Sequence, residues 1–208
     1  MKTHIIFIGI IFVISFTLGY FDVNWILYLI TIFGVLSAYL YLLYSPILFT
    51  NDILKTEAFL KKNQNKPIFY LIYSLANHLE SNVEDAISKV LLKYKSPTKQ
   101  AHFIAIYSLY KHDIERAKAS VGQIQVLKNK EYYQALICIE EGKLKEALTI
   151  GNKIDSSWMK HTINAEVYLK EGNEEKARNY AKQAIRETKG IQKYLLYKNF
   201  EKILDGKL

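Results

Sequence analysis

Only one cysteine, Cys138, occurs in this chain of 208 residues, so neither an intramolecular disulfide nor a multi-cysteine metal site can form. That usage fits a reducing compartment. Charge is scarce at the start: residues 1–50 hold only Lys2 and Asp22, and every other Lys, Arg, Asp and Glu lies at residue 52 or later. One molecule is therefore solvated in two different media. The nine glycines are scattered singly, which excludes a phosphate-cradling glycine loop. None of the histidines (His4, His78, His102, His112, His161) forms the two-histidine helical pattern of a metal site. Cys138 follows Leu136 and Ile137 and reads as a small core hydrophobe. The pairs Glu140-Glu141 and Glu174-Glu175 read as solvated charge and helix-dipole partners. Neither an enzyme nor a bound cofactor or metal is expected.

What charge there is carries a net +8, spread thinly as 0, +3, +1 and +4 over residues 1–50, 51–100, 101–150 and 151–208. Acids interleave with bases, so no single-sign field invites nucleic acid. A mildly basic domain suits the surface of an anionic leaflet.

Long apolar runs occupy residues 5–21 and 25–49. A bilayer core of about 30 Å takes ~20 helical residues, with a range of ~17–25. Only Asp22, Val23 and Asn24 separate the runs, so the expectation for residues 1–50 is a transmembrane helical hairpin in contact with lipid through residues 5–49. Tyr20, Phe21, Trp25 and Tyr28 mark one interface, and Tyr39, Tyr41 and Tyr44 the other. Lys2 before the first run and Lys55, Lys61, Lys62 and Lys66 after the second place both termini in the cytoplasm. A cleaved signal peptide is the rival reading of the first run, although Thr17-Leu18-Gly19 is a poor cleavage site. Residues 51–65, capped by Asn51 or Asp52, form an amphipathic juxtamembrane helix. It either lies in the interface or begins the soluble fold.

The remainder repeats. Ala86, Ala117, Ala147 and Ala177 recur at spacings of 31, 30 and 30, each preceded twelve residues earlier by Ser74, Ala105, Ala135 or Ala165. A turn falls between the two small residues each time, at Glu80–Asn82, Lys111–Asp113, Glu141–Lys143 and Glu171–Asn173. Each unit reads helix, turn, helix, and stacking buries the faces that a single pair leaves open.

The stretch from Asn164 to Ile185, NAEVYLKEGNEEKARNYAKQAI, resembles a tetratricopeptide repeat. Ala165, Tyr168, Gly172, Ala177, Ala181 and Ala184 fall at that family's small, tyrosine, turn-glycine and alanine positions. The units are shorter than the family's usual 34 residues, and its early tryptophan and leucine are missing here. The resemblance covers residues 66–189. It implies an all-α chain whose soluble part is a right-handed α-solenoid of about four helix pairs. Residues 190–208, rich in Tyr and Phe, supply a capping helix or a docking face.

The resemblance further implies a concave groove lined by first helices, and the family register carries it onto His102, Ile106, Tyr110, Tyr132, Leu136, Thr162 and Glu166. The same residues could instead pack between units. The expected function is that of a membrane-anchored adaptor facing the cytoplasm and binding a protein or peptide. The alternative is a subunit of an integral membrane complex whose hairpin makes the main contacts.

Overall fold

The computed structural model describes residues 2–21 and 24–204, with side chains from Phe7 onward. Asp22 and Val23, at the middle of the expected turn, and residues 205–208 lie outside the described residues. Among those described, the chain is all-helical, with twelve α-helices and no strand.

Helices α1 (Lys2–Tyr20) and α2 (Trp25–Leu48) are apolar on every side. Asn24 caps α2, its side-chain oxygen accepting from the Ile26 N–H at 2.9 Å. With 24 residues, α2 extends roughly 36 Å at 1.5 Å per residue. Its apolar window has a mean hydropathy of 2.2 and is nowhere buried, making it the one helix among the described residues long and apolar enough to cross a membrane. The described apolar part of α1, Phe7–Tyr20, is shorter. The helices touch, and the Phe7 ring stacks on Tyr39 at 3.7 Å.

Beyond them lie α3 (Ile53–Lys62), α4 (Pro67–Ala76), α5 (Glu80–Lys93), α6 (Pro97–Tyr110), α7 (Ile114–Gly122), α8 (Leu127–Glu140), α9 (Leu144–Lys153), α10 (Ser157–Lys170), α11 (Glu174–Arg186) and α12 (Gly190–Phe200). Pro67 and Pro97 open α4 and α6, where a missing N–H costs nothing because the first turn has no intrahelical acceptor. Neighbours pair as α4 with α5, α6 with α7, α8 with α9, and α10 with α11. Helix α8 packs on both helices of the preceding pair, and so does α10. Ser74, Ala86, Ala105, Ala117, Ala135, Ala147, Ala165 and Ala177 are all fully buried, as the small-residue register predicts.

Every pair closes through one turn. His78, His112, Gly142 and Gly172 adopt left-handed φ of 52°, 54°, 77° and 76°. The next N–H reaches back to the carbonyl five residues earlier: Leu79 to Ser74, Asp113 to Ser108, Lys143 to Cys138 and Asn173 to Tyr168, at 2.8–3.0 Å. This six-to-one bond ends a helix by satisfying a carbonyl that lacks an intrahelical donor. Three of the four expected turns stand where the sequence puts them. The first does not: it lies at Asn77–Leu79, and Glu80–Asn82 already belong to α5. No glycine marks it; instead the Asn77 side-chain amide donates to the Tyr73 carbonyl at 2.8 Å beside the left-handed His78. Measured on the turns, the intervals become 34, 30 and 30 residues.

The last helix does more than cover the end of the row. Helix α12 packs on α11 and also on α2, α3 and α4, bringing the start and the end of the helix row together. Tyr194 is fully buried with Leu60 of α3 and Ala76 of α4, and its hydroxyl accepts from the Asn77 amide at 2.8 Å. Burial pushes the Tyr194 hydroxyl pKa up to about 12. The Gly190 N–H donates to the Thr50 carbonyl at 2.8 Å, and the buried Thr56 hydroxyl donates to the Pro46 carbonyl at 2.8 Å. Ile47 is buried, so the last turn of α2 is held by the helices that follow it and packed structure runs across the expected boundary at residue 50. Helix α3 belongs to the same packed structure: Thr56 and Leu60 are buried, while Leu54, Lys55, Lys61 and Lys62 face outward.

Gly190 has a φ of 55°, and a Cβ there would meet the Ile47 carbonyl oxygen at 2.0 Å, whereas Gly142 at 77° has open space. Replacing Gly142 by Ala therefore costs only the left-handed strain, about 1–2 kcal/mol. Gly190→Ala must also part α12 from α2. Thermal unfolding of the intact chain in detergent should show the Gly190→Ala loss at least double that of Gly142→Ala; equal losses would contradict the close approach.

Candidate functional site

The seven residues expected to line a groove separate into two groups. His102, Ile106 and Tyr110 lie on α6. The His102 ring meets Tyr133 at 6.1 Å, and burial lowers its pKa, favouring the neutral imidazole. Tyr110 stacks on His78 at 6.1 Å and packs on the cluster containing Leu71 and Val83. Ile106 is the most open of the seven, 37 % exposed.

The second group converges between α8 and α10. The Tyr132 ring lies 5.5 Å from Trp158, with the Thr162 hydroxyl as its polar neighbour. Desolvation drives the Tyr132 hydroxyl pKa far upward, so it stays a neutral donor. Leu136 packs on the cluster containing Met159 and Ile163. Thr162 does not line a groove: it is buried, and its hydroxyl donates to the Trp158 carbonyl at 2.8 Å. Glu166 accepts from the Asn199 amide of α12 at 2.6 Å. Desolvation raises the Glu166 pKa, and the Asn199 bond partly offsets it. Helix α12 thus occupies the end of the surface where the groove was expected.

Carboxylates link successive pairs. Glu84 of α5 accepts from Tyr107 of α6 and pairs with Lys111 at 2.9 Å. The Tyr107 bond is the main reason its carboxyl stays below the usual range, with Lys111 adding to it. Glu140 meets His112 at 2.9 Å and Lys170 at 3.5 Å, joining three units through one side chain. Glu141 takes Lys118 at 2.7 Å and Lys143 at 3.0 Å. Glu140 and Glu141 were expected to be solvated charge, yet both bridge units. Their partners in neighbouring units are 23 to 30 residues away in sequence, beyond the reach of helix-spacing rules.

Cys138 is buried, and burial pushes its thiol pKa up, the reverse of what activates a nucleophile. Among the described residues no three His, Cys, Asp or Glu side chains converge as metal ligands do. Comparison with protein-family models, curated proteins and solved structures finds no match to this chain.

Glu166→Gln keeps an acceptor for Asn199 and removes a desolvated carboxylate. A carboxyl whose folded pKa is raised stabilises the fold below its unfolded pKa and loses that contribution as pH rises through the folded one. The Gln variant should therefore unfold at a higher temperature than the parent at pH 7, with the gap narrowing toward pH 4. A lower unfolding temperature at pH 7 would show that the charged form is needed.

Proposed function

We propose that this chain is a membrane-anchored adaptor, with α1 and α2 as a transmembrane hairpin and α4–α11 as a right-handed tetratricopeptide-like solenoid presenting a surface to a protein or peptide partner. The observation that carries the reading is the recurrence of one left-handed, six-to-one turn in four successive helix pairs. The 34-residue interval between His78 and His112 equals the tetratricopeptide period. The packing of α8 and α10 on both helices of the preceding pair supports a stack, whose role by class is to hold an extended segment or helix. Ile106, with His102 beside it on α6, is the part of the expected groove that stays open.

A second reading has an observation of its own. Large side chains along α1 and α2, including Phe12, Phe16, Phe33 and Leu42, are 68–72 % exposed, a surface that helices of another membrane subunit could cover. Photo-crosslinking of the intact chain in its native membrane separates the two. An adaptor crosslinks to a defined protein from Ile106 and to lipid from Leu36. A membrane-complex subunit gives protein adducts at Leu36 and none at Ile106, and that pattern would end the adaptor reading.

Orientation rests on the lysines that follow α2. A reporter fused behind Leu208 should be active in the cytoplasm; activity on the opposite side would reverse the topology.

A further inference from the structure

A groove of about 570 Å³ opens where α2 meets the soluble helices, between the start of α3 and the adjoining faces of α11 and α12. Lys182 and Arg186 stand one turn apart on α11, and Lys193 of α12 joins them. Buried Ile185 and half-buried Ile53 complete the lining with Leu54, which is 74 % exposed.

The charge of this groove is unusual for the molecule. Glu84, Glu140 and Glu141 tie up the cations around them. Here, among the described residues, neither Lys182 nor Arg186 has an ion-pair or hydrogen-bond partner, and Lys193 reaches only the neutral Asn51 oxygen at 3.3 Å. Among the described residues lining the groove the one carboxylate, Asp52, is committed to α3: it accepts from the Lys55 N–H at 3.1 Å and meets the Lys55 ammonium at 3.6 Å. Three cations thus converge on a space with no anion free to answer them.

Position supplies the second argument. The groove begins at Asn51, just past Leu48 and Phe49, which end the apolar helix and are about half exposed. The bonds from Gly190 to Thr50 and from Thr56 to Pro46 hold that helix end against the groove walls. With α2 in a bilayer, the groove stands at the level of the lipid headgroups, with exposed Leu54 in its lining and exposed Phe49 two residues before it in the chain.

We propose that this groove binds the headgroup of an anionic phospholipid, its phosphate held by Lys182, Arg186 and Lys193 and its first acyl carbons against Leu54 and Phe49. The inference rests on the reading of α2 as a membrane span. Basic pockets beside membrane helices select such headgroups, because a zwitterionic lipid brings its own ammonium and no net charge. Free phosphate would meet the same cations but leave Leu54 uncovered.

The test uses the intact chain in neutral detergent, titrated with fluorescent phosphatidylglycerol or phosphatidylcholine. The parent should bind phosphatidylglycerol roughly tenfold more tightly, with the difference shrinking as salt rises. Replacing Lys182, Arg186 and Lys193 by Ala should abolish the preference. Replacing the exposed Lys95, Lys99 and Lys128, equal in charge, should leave it intact. If the triple variant unfolds at a lower temperature, Arg186→Gln alone provides the same comparison. Unchanged selectivity in the groove variants, equal binding of the two lipids, or displacement by inorganic phosphate as effective as by phosphatidylglycerol would overturn the proposal. Carbonate extraction of the parent from membranes separates the two readings. A chain that stays inserted but lacks lipid selectivity refutes the lipid site alone, and one that is extracted refutes the membrane span and the lipid site with it.

Discussion

The contact on which the arrangement depends is the approach of Gly190 to the end of α2. Its N–H donates to the Thr50 carbonyl, and there is no room for a Cβ against the Ile47 carbonyl. That closeness lets α12 pack against α3, α4 and α11 at once, where Tyr194 fills the space beside Leu60 and Ala76. The backbone of α2 is then held from two sides, by Gly190 and by the Thr56 hydroxyl. The end of α2 forms one packed unit with α3 and α12, so a displacement of α2 must break these bonds or carry both along.

Helices α4–α11 are repetitive, and their connections divide by type. Fully buried small residues let the two helices of each pair cross closely, a packing effect that depends on volume. Contacts from pair to pair add charge: Glu84, Glu140 and Glu141 each take a cation from a neighbouring unit, and Glu166 takes Asn199 from α12. Half-exposed ion pairs of this kind contribute little stability individually. Their geometric role is to hold one unit against the next. Glu166 is consumed by this assembly and Thr162 by a bond within its own helix, while Ile106 on α6 stays exposed.

Three of the four turns could be read directly because Gly142, Gly172 and the Lys-His-Asp segment break the helical pattern where the chain reverses. The first could not, because its left-handed His78 is followed by Leu79, which caps α5 with no side-chain bond, whereas the equally glycine-free His112 is followed by the capping Asp113. The groove was legible only as a register: the tetratricopeptide resemblance put seven residues on the first helices, but which of them stay open depends on contacts such as Trp158 on Tyr132 and Asn199 on Glu166. The basic groove beside α2 was not legible at all, since Asn51 and Lys193 are 142 residues apart.

By itself the sequence determined the all-helical character, the long apolar helix ahead of the charged part, and the recurrence of small residues in pairs. Each of these follows from local composition and the 3.6-residue period, which act within a few turns of chain. Tertiary structure alone decided where α12 goes, which carboxylates bridge units and which groove residues are covered. These depend on side chains brought together from opposite ends of the chain, and no local period records which distant face a helix will meet.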